Sequence, residues 1–117
     1  MEVIFLDCVF CEIVNGNIGC EKIYEDERVL AFKDLKPQAP VHFLIIPKKH
    51  IKDVLEISKE DKDILYSIFL SIQKIAKDLG LEDGFRVVNN CGEDGGQTVL
   101  HLHFHVLGKR KLSWPPG

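Results

Sequence analysis

Three histidines stand at alternate positions in His101-Leu102-His103-Phe104-His105, and no other stretch of the chain places so much chemistry in so few residues. On a regular strand, side chains two apart share a face, so the imidazoles form a row and Leu102, Phe104 and Val106 face the other way. At roughly 3.3 Å per residue, the backbones of His101 and His105 would lie ~13 Å apart. Nitrogens bound to one zinc at ~2.0–2.1 Å lie no more than ~4 Å apart, so three collinear imidazoles are poor ligands for a single metal. They should divide the work. A single strand histidine is most simply filler on a half-buried face, but three in register argue for a site.

The segment just before them, Gly92-Glu93-Asp94-Gly95-Gly96-Gln97-Thr98, offers flexible backbone donors at Gly95 and Gly96 and side-chain donors at Gln97 and Thr98. Donors gathered in a turn suit a phosphate, although a glycine pair alone is also an ordinary hairpin loop. There is no GK[ST] sequence and no carboxylate cluster beside this loop to hold magnesium, so the pattern reads as phosphate chemistry without a catalytic metal. Cys8 and Cys11 have the spacing of half a zinc site, and the redox reading of the same spacing lacks its usual strand-to-helix context. Cys20 and Cys91 read as small hydrophobes.

The elements that must hold these residues are legible as well. The chain has 117 residues, which suits one domain over 1–117 with a short tail at 112–117. Cys11 to Val14, closed by Asn15-Gly16-Asn17, reads as a short helix. Lys22 to Glu25 and Val29 to Lys33 flank a turn at Asp26-Glu27-Arg28 and read as a hairpin. Val41 to Ile46 is apolar on both faces except at His42 and reads as a central strand covered on one side by helix.

Ile64, Leu65, Ile68, Phe69, Ile72, Ile75, Ala76 and Leu79 recur at helical spacing between a Ser58/Asp61 capping pair and a terminating Gly80, which predicts a long core helix. Phe85 to Asn89 and Leu100 to Leu107 complete a set of about five strands. The predicted class is α+β, with a mostly antiparallel sheet, one long helix and a short N-terminal one.

The formal charge of −3 gives no basic footprint for a nucleic-acid polymer. No run reaches the ~20 apolar residues of a membrane span. The apolar start lacks a basic leader and a cleavage site, so the expected compartment is the reducing cytoplasm.

In order and spacing, DCVFCEIV, DLKPQAPVHFLIIPKKHI, DGGQTVLHLHFHVLG and the terminal WPPG resemble the histidine-triad family, nearest its Hint-type branch. The resemblance covers nearly the whole chain. It implies a homodimer with a sheet continuous across the subunits, and a phosphoramidase acting on purine nucleoside 5′-monophosphates whose phosphorus carries an amine. His103 would be the nucleophile that becomes nucleotidylated, and neutral imidazole is an able nucleophile when a carbonyl holds its Nδ1–H. His105 and the backbone at Gly96 would donate to phosphate oxygens.

Thr98 would sit by the leaving group, where the branch more usually has Ser. Asp34 would accept from the ribose hydroxyls, Asn90 would lie at the sugar-phosphate edge, and Val9, Phe10, Phe32, Leu35 and Leu44 would form the base slot or else plain core. His42 would assist proton movement behind His103 or act as a core histidine. Some family members join positions equivalent to Cys8, Cys11, His50 and His101 in a structural zinc site. A dinucleoside polyphosphate hydrolase and a nucleotide-binding regulatory module are the alternatives on the same fold.

Overall fold

The computed structural model describes residues 8–117. Two α-helices, α1 (Val9–Val14) and α2 (Lys62–Asp78), accompany five strands: β1 (Lys22–Glu25), β2 (Val29–Lys33), β3 (Val41–Pro47), β4 (Phe85–Val88) and β5 (Phe104–Gly108). The strands form one antiparallel sheet in the order β1-β2-β3-β5-β4. This is the predicted α+β class. Among the described residues no helix is long and apolar enough to cross a membrane.

Strand alternation divides the core in two. Val29, Ala31, Phe43, Ile45 and Val106 face α2, where Ile68, Ile72, Ile75 and Ala76 cover them. The intervening Leu30, Phe32, Leu44 and Ile46 face the other way and pack with Phe10 and Ile13 of α1. Thus β3 is covered on both faces rather than one, because the short N-terminal helix lies over the face that α2 leaves bare. Helix α1 begins two residues earlier than predicted, since the Cys8 Sγ accepts from Cys11 N at 3.3 Å and so caps it.

The long helix is bounded by the predicted signals. A 3₁₀ turn over Lys59–Asp61 leads into it, with Ser58 N donating to Asp61 Oδ2 at 3.0 Å. At the far end Gly80 takes φ +72°, Gly80 N donates to Lys77 O and Leu81 N donates to Ala76 O, the paired bonds of a Schellman motif. Two members of the predicted core stripe are not core: Phe69 is 51% exposed and Leu79 is 37% exposed.

The main departure lies in β5, which starts at Phe104 and not at Leu100. The chain before it is drawn away from the sheet. Leu102 N donates to Ile51 O at 2.6 Å and the His101 ring donates through Nε2 to Pro47 O at 2.8 Å, so the last residue of β3 and the segment after it hold this stretch in place of a strand ladder. The three histidines therefore do not form a straight row: only His105 is in the strand.

At the other end of β5, a Cβ on Gly108 would come within 2.8 Å of Leu81 Cδ2 and 3.2 Å of Cδ1. Leu81 is 1% exposed and has little room to retreat. Gly108→Ala should therefore cost about 1–3 kcal/mol by overpacking, read as a lower urea midpoint at unchanged slope. A midpoint equal to that of the parent would contradict this packing.

Candidate active site

His103 precedes β5 by one residue, is 4% exposed, and is fixed by its own neighbourhood. Its Nδ1 lies 2.7 Å from His101 O, and since a carbonyl only accepts, the proton is on Nδ1 and Nε2 carries a lone pair. Burial, set against the carbonyl bond and the charge of Asp34, holds its pKa below the ordinary imidazole value. The ring is neutral at neutral pH. Phe10 of α1 meets it nearly at right angles, centroids 5.1 Å apart.

His105 carries the opposite proton arrangement. The backbone N–H of Gln38 donates to His42 Nδ1 at 3.0 Å, which leaves the His42 proton on Nε2. His42 Nε2 lies 2.9 Å from His105 Nδ1, so His42 donates there and the His105 proton is on its outer nitrogen, Nε2. Burial, with His103 and His42 adding to it, pushes His105 down to about 4. Burial also lowers His42, against the pull of Asp34.

His42 accordingly stands behind His105 and not behind His103. It cannot pass a proton along, because its Nδ1 is closed by an amide hydrogen; it sets the tautomer of His105. Asp34 Oδ2 lies 3.4 Å from His42 Nε2 and 3.8 Å from His105 Nδ1, close enough to bias the pair electrostatically.

Beside these histidines a cleft of about 340 Å³ runs between α1 and β2–β3. Val9, Phe10, Phe32, Asp34, Leu35 and Leu44 all line it, and Ile18, Gly19 and Cys20 were not anticipated as part of the wall. Ile18 and Gly19 carry no motif that would have found them; the chain simply passes there after α1. Leu35 is 95% exposed and forms a rim rather than a wall. Asp34 Oδ1 accepts from Lys36 N at 2.7 Å, which aims the carboxylate at the boundary between cleft and histidines.

The glycine loop is used differently from expectation. Gln97 Oε1 accepts from Gly92 N at 2.9 Å, and its Nε2 donates to Lys52 O at 2.9 Å and Val99 O at 3.0 Å. Its side chain pins the loop and has no hydrogen left for a phosphate. Gly96 N and Gln97 N are likewise spent inside the turn, on Glu93 O and Gly92 O. Thr98 is exposed and lines a second groove with Val9, Lys52 and Leu100, which adjoins the cleft at Val9. Asn90 is half-buried, whereas its neighbour Asn89, which the motif reading passed over, donates from Nδ2 to His103 O at 2.9 Å.

Cys8, Cys11, His50 and His101 come together as a group able to hold a metal ion. His101 Nδ1 lies 3.3 Å from Cys8 Sγ, 3.5 Å from Cys11 Sγ and 3.2 Å from His50 Nδ1, and Cys11 Sγ lies 3.2 Å from His50 Nδ1. A tetrahedral ion with bonds of ~2.05 Å to nitrogen and ~2.3 Å to sulfur has edges of about 3.3–3.8 Å, which these separations approach. The outer shell fits too: His101 Nε2–H on Pro47 O turns Nδ1 toward the group, and an amide donates to the Cys8 sulfur. Asp34, His42 and His105 are a second cluster of ligand types, but the 2.9 Å nitrogen–nitrogen contact is a hydrogen bond and is shorter than the ~3.3 Å edge of a tetrahedral site.

Residues 15–112 match the HIT domain. A HIT-like protein of Synechococcus elongatus, itself uncharacterized, is 48% identical over 111 residues, which are 95% of this chain and 97% of the relative. A HIT family hydrolase from Legionella pneumophila superposes with a TM-score of 0.93 at 46% identity, covering 95% of this chain and 100% of the other. A histidine triad nucleotide-binding protein from Candida albicans superposes with a TM-score of 0.83 at 33% identity, covering 93% and 83%. With the family match over most of the chain and the fold shared with these relatives, the chain belongs to the HIT, or histidine-triad, family.

Proposed function

We propose that this chain is a nucleotidyl hydrolase that cleaves the P–N bond of purine nucleoside 5′-phosphoramidates through a nucleotidyl adduct on His103, as in the Hint-type branch. The observation that carries the reading is the set of hydrogen bonds that assigns opposite tautomers to two adjacent rings, centroids 5.2 Å apart: a lone pair on His103 Nε2 and an N–H on His105 Nε2. Such a pair suits a phosphoryl centre, with a nucleophile on one side and a donor to its oxygens on the other.

The purine enters the apolar cleft against Phe10, Phe32 and Leu44, and Asp34 accepts from the ribose hydroxyls at its mouth. His103 Nε2 attacks the α-phosphorus, the P–Nε2 bond forms and the P–N bond breaks. The amine leaves with a proton taken from solvent. His105 Nε2–H holds the phosphoryl oxygen on which charge builds. Water then adds to phosphorus and gives up a proton to solvent, the P–Nε2 bond breaks, and nucleoside monophosphate and neutral His103 are released. Thr98 and the groove beside it receive the leaving group, and Asn90 lies at the sugar-phosphate edge.

Cys8, Cys11, His50 and His101 hold one zinc ion, which supplies structural cross-linking between α1, the segment after β3 and the segment before β5. The protein works as a homodimer. An apolar groove of about 400 Å³ between α2 and β4, with Phe69, Ile72, Leu81 and Phe85 in its lining, lies at the edge strand through which the sheet would continue. Trp114, 81% exposed on the 112–117 tail, covers the partner's site. All four cysteines are free, which suits the cytoplasm.

A side-by-side assay with adenosine phosphoramidate and a diadenosine polyphosphate tests the substrate class, and faster cleavage of the dinucleotide would overturn it. His103→Ala should lower kcat by at least about 10⁴-fold with nucleotide affinity kept, and His105→Ala by about 10²–10³-fold. Equal losses would contradict the division between them.

Elemental analysis should find one zinc per chain, and a chelator should lower the melting temperature. A zinc-free chain, or one equally stable after chelation, would refute the metal site.

Protonation also sets a pH dependence. His42 and His105, facing each other, His103 and Asp34, are lowered in the folded chain, His105 to about 4, whereas the unfolded chain protonates them near the ordinary ~6.5. Below that value the unfolded state binds more protons, so stability should decline as pH falls from about 6.5 towards 4. In a His42→Gln, His105→Gln double variant this part of the decline should shrink, and an unchanged urea-denaturation profile against pH would contradict the assignment.

A further inference from the structure

The ladder between β4 and β5 runs from Phe85↔Gly108 to Val88↔His105 and stops there, and β3 pairs no further along β5 than Ile45↔Phe104. His103 therefore stands just outside the sheet, and its carbonyl lies beyond the last β4 pair, although Phe104 at the other end of the same peptide is already paired with Ile45. One side-chain bond fills that place. Asn89 follows the last residue of β4 and donates from Nδ2 to His103 O at 2.9 Å. An amide facing a carbonyl must present its NH₂, so the assignment of the donor follows from the partner. Asn89 is among the lining residues of neither the apolar cleft nor the groove at Thr98.

We propose that Asn89 is a positioning residue, acting on the reaction through His103 and not on the nucleotide; this rests on His103 being the nucleophile. The carbonyl it holds belongs to the peptide joining His103 to Phe104. Rotation of that peptide changes ψ at His103 and with it the course of the chain from the His103 ring to the His105 ring. The bond from His103 Nδ1 to His101 O fixes the ring about its own axis, and the Asn89 bond fixes the backbone from which the ring projects. With both in place the Nε2 lone pair has one direction. Without Asn89, the carbonyl end of that peptide loses this restraint and ψ at His103 can vary, while Phe104 stays paired with Ile45.

Misplacement of a reacting atom by about 1 Å costs on the order of 10²-fold in rate. Asn89→Leu keeps bulk and removes the donor, Asn89→Asp keeps shape and sets an oxygen against an oxygen, and Asn89→Gln keeps the amide. In the full-length, metal-loaded chain, the Leu and Asp variants should lose roughly tenfold to a hundredfold in kcat on adenosine phosphoramidate. The affinity for adenosine monophosphate, measured by calorimetry, should stay within about twofold, and Asn89→Gln should recover part of the rate.

Turnover within twofold of the parent in both the Leu and Asp variants would overturn the proposal. So would a loss of nucleotide affinity as large as the loss of kcat. A second readout does not need the reaction: long-range ¹H–¹⁵N spectra at one neutral pH should show a single Nδ1–H tautomer for His103 in the parent and exchange-broadened or mixed signals in the Leu and Asp variants. Identical spectra would overturn the role. A parent without any turnover would remove the proposed reaction, and these spectra would then decide the role of Asn89 alone.

Discussion

The hydrogen bond from His103 Nδ1–H to the carbonyl of His101 is the constraint on which the rest of the site depends. It exists only because the chain does not enter the sheet until Phe104. In a regular strand the carbonyl two residues back points along the sheet to a neighbouring strand and is out of reach of a side chain. By bending at His101 and binding the end of β3 through the His101 ring and the segment after it through Leu102 N, the chain frees that carbonyl for the His103 ring. A proton fixed on Nδ1 leaves the other nitrogen with its lone pair, and a buried neutral imidazole with one fixed tautomer is preorganised for attack.

His101 thereby serves two sites. Its Nδ1 belongs to the cluster with Cys8, Cys11 and His50, its Nε2 holds Pro47 O, and its carbonyl holds the His103 ring. The arrangement gives each of the five histidines a different set of partners, and among the described residues no buried side-chain nitrogen or oxygen lacks one. That completeness matters physically, because an imidazole buried without a partner costs free energy and has no preferred tautomer. It also fixes what His42 contacts. A backbone amide closes one of its nitrogens, so what it gives His105 is an orientation of the proton.

Much of this was legible in the sequence. Both strands of the first hairpin, the long helix with its Ser58/Asp61 start and Gly80 stop, and the central strand at Val41 follow from local signals that tertiary contacts do not contradict. The residues of the cleft and of the cysteine–histidine cluster also converge where the motif resemblance put them together. The failures are of one kind. Alternation at His101 to His105 is a period-two signal, and it cannot reveal that the Pro47–Ile51 segment outcompetes the sheet for the first half of it. Gln97 looked like a phosphate donor because its chemistry allows it, but three backbone groups reach its amide first. Asn89 was overlooked beside Asn90 because which of two adjacent amides meets a carbonyl depends on where β4 ends. Phe69 and Leu79 fit the helical stripe, yet the stripe is wider than the face that the sheet covers, and both are exposed.

The proposed reaction requires His103 Nε2 to be the atom that first bonds to phosphorus. Acid quench of a single turnover with a radiolabelled adenosine phosphoramidate, followed by peptide mapping, reads that atom directly. Label should appear on the peptide spanning His103, survive in His105→Ala at a lower level, and be absent from His103→Ala. Label on His105 or Cys91, or turnover of the substrate with no labelled peptide at any time point, would contradict the account.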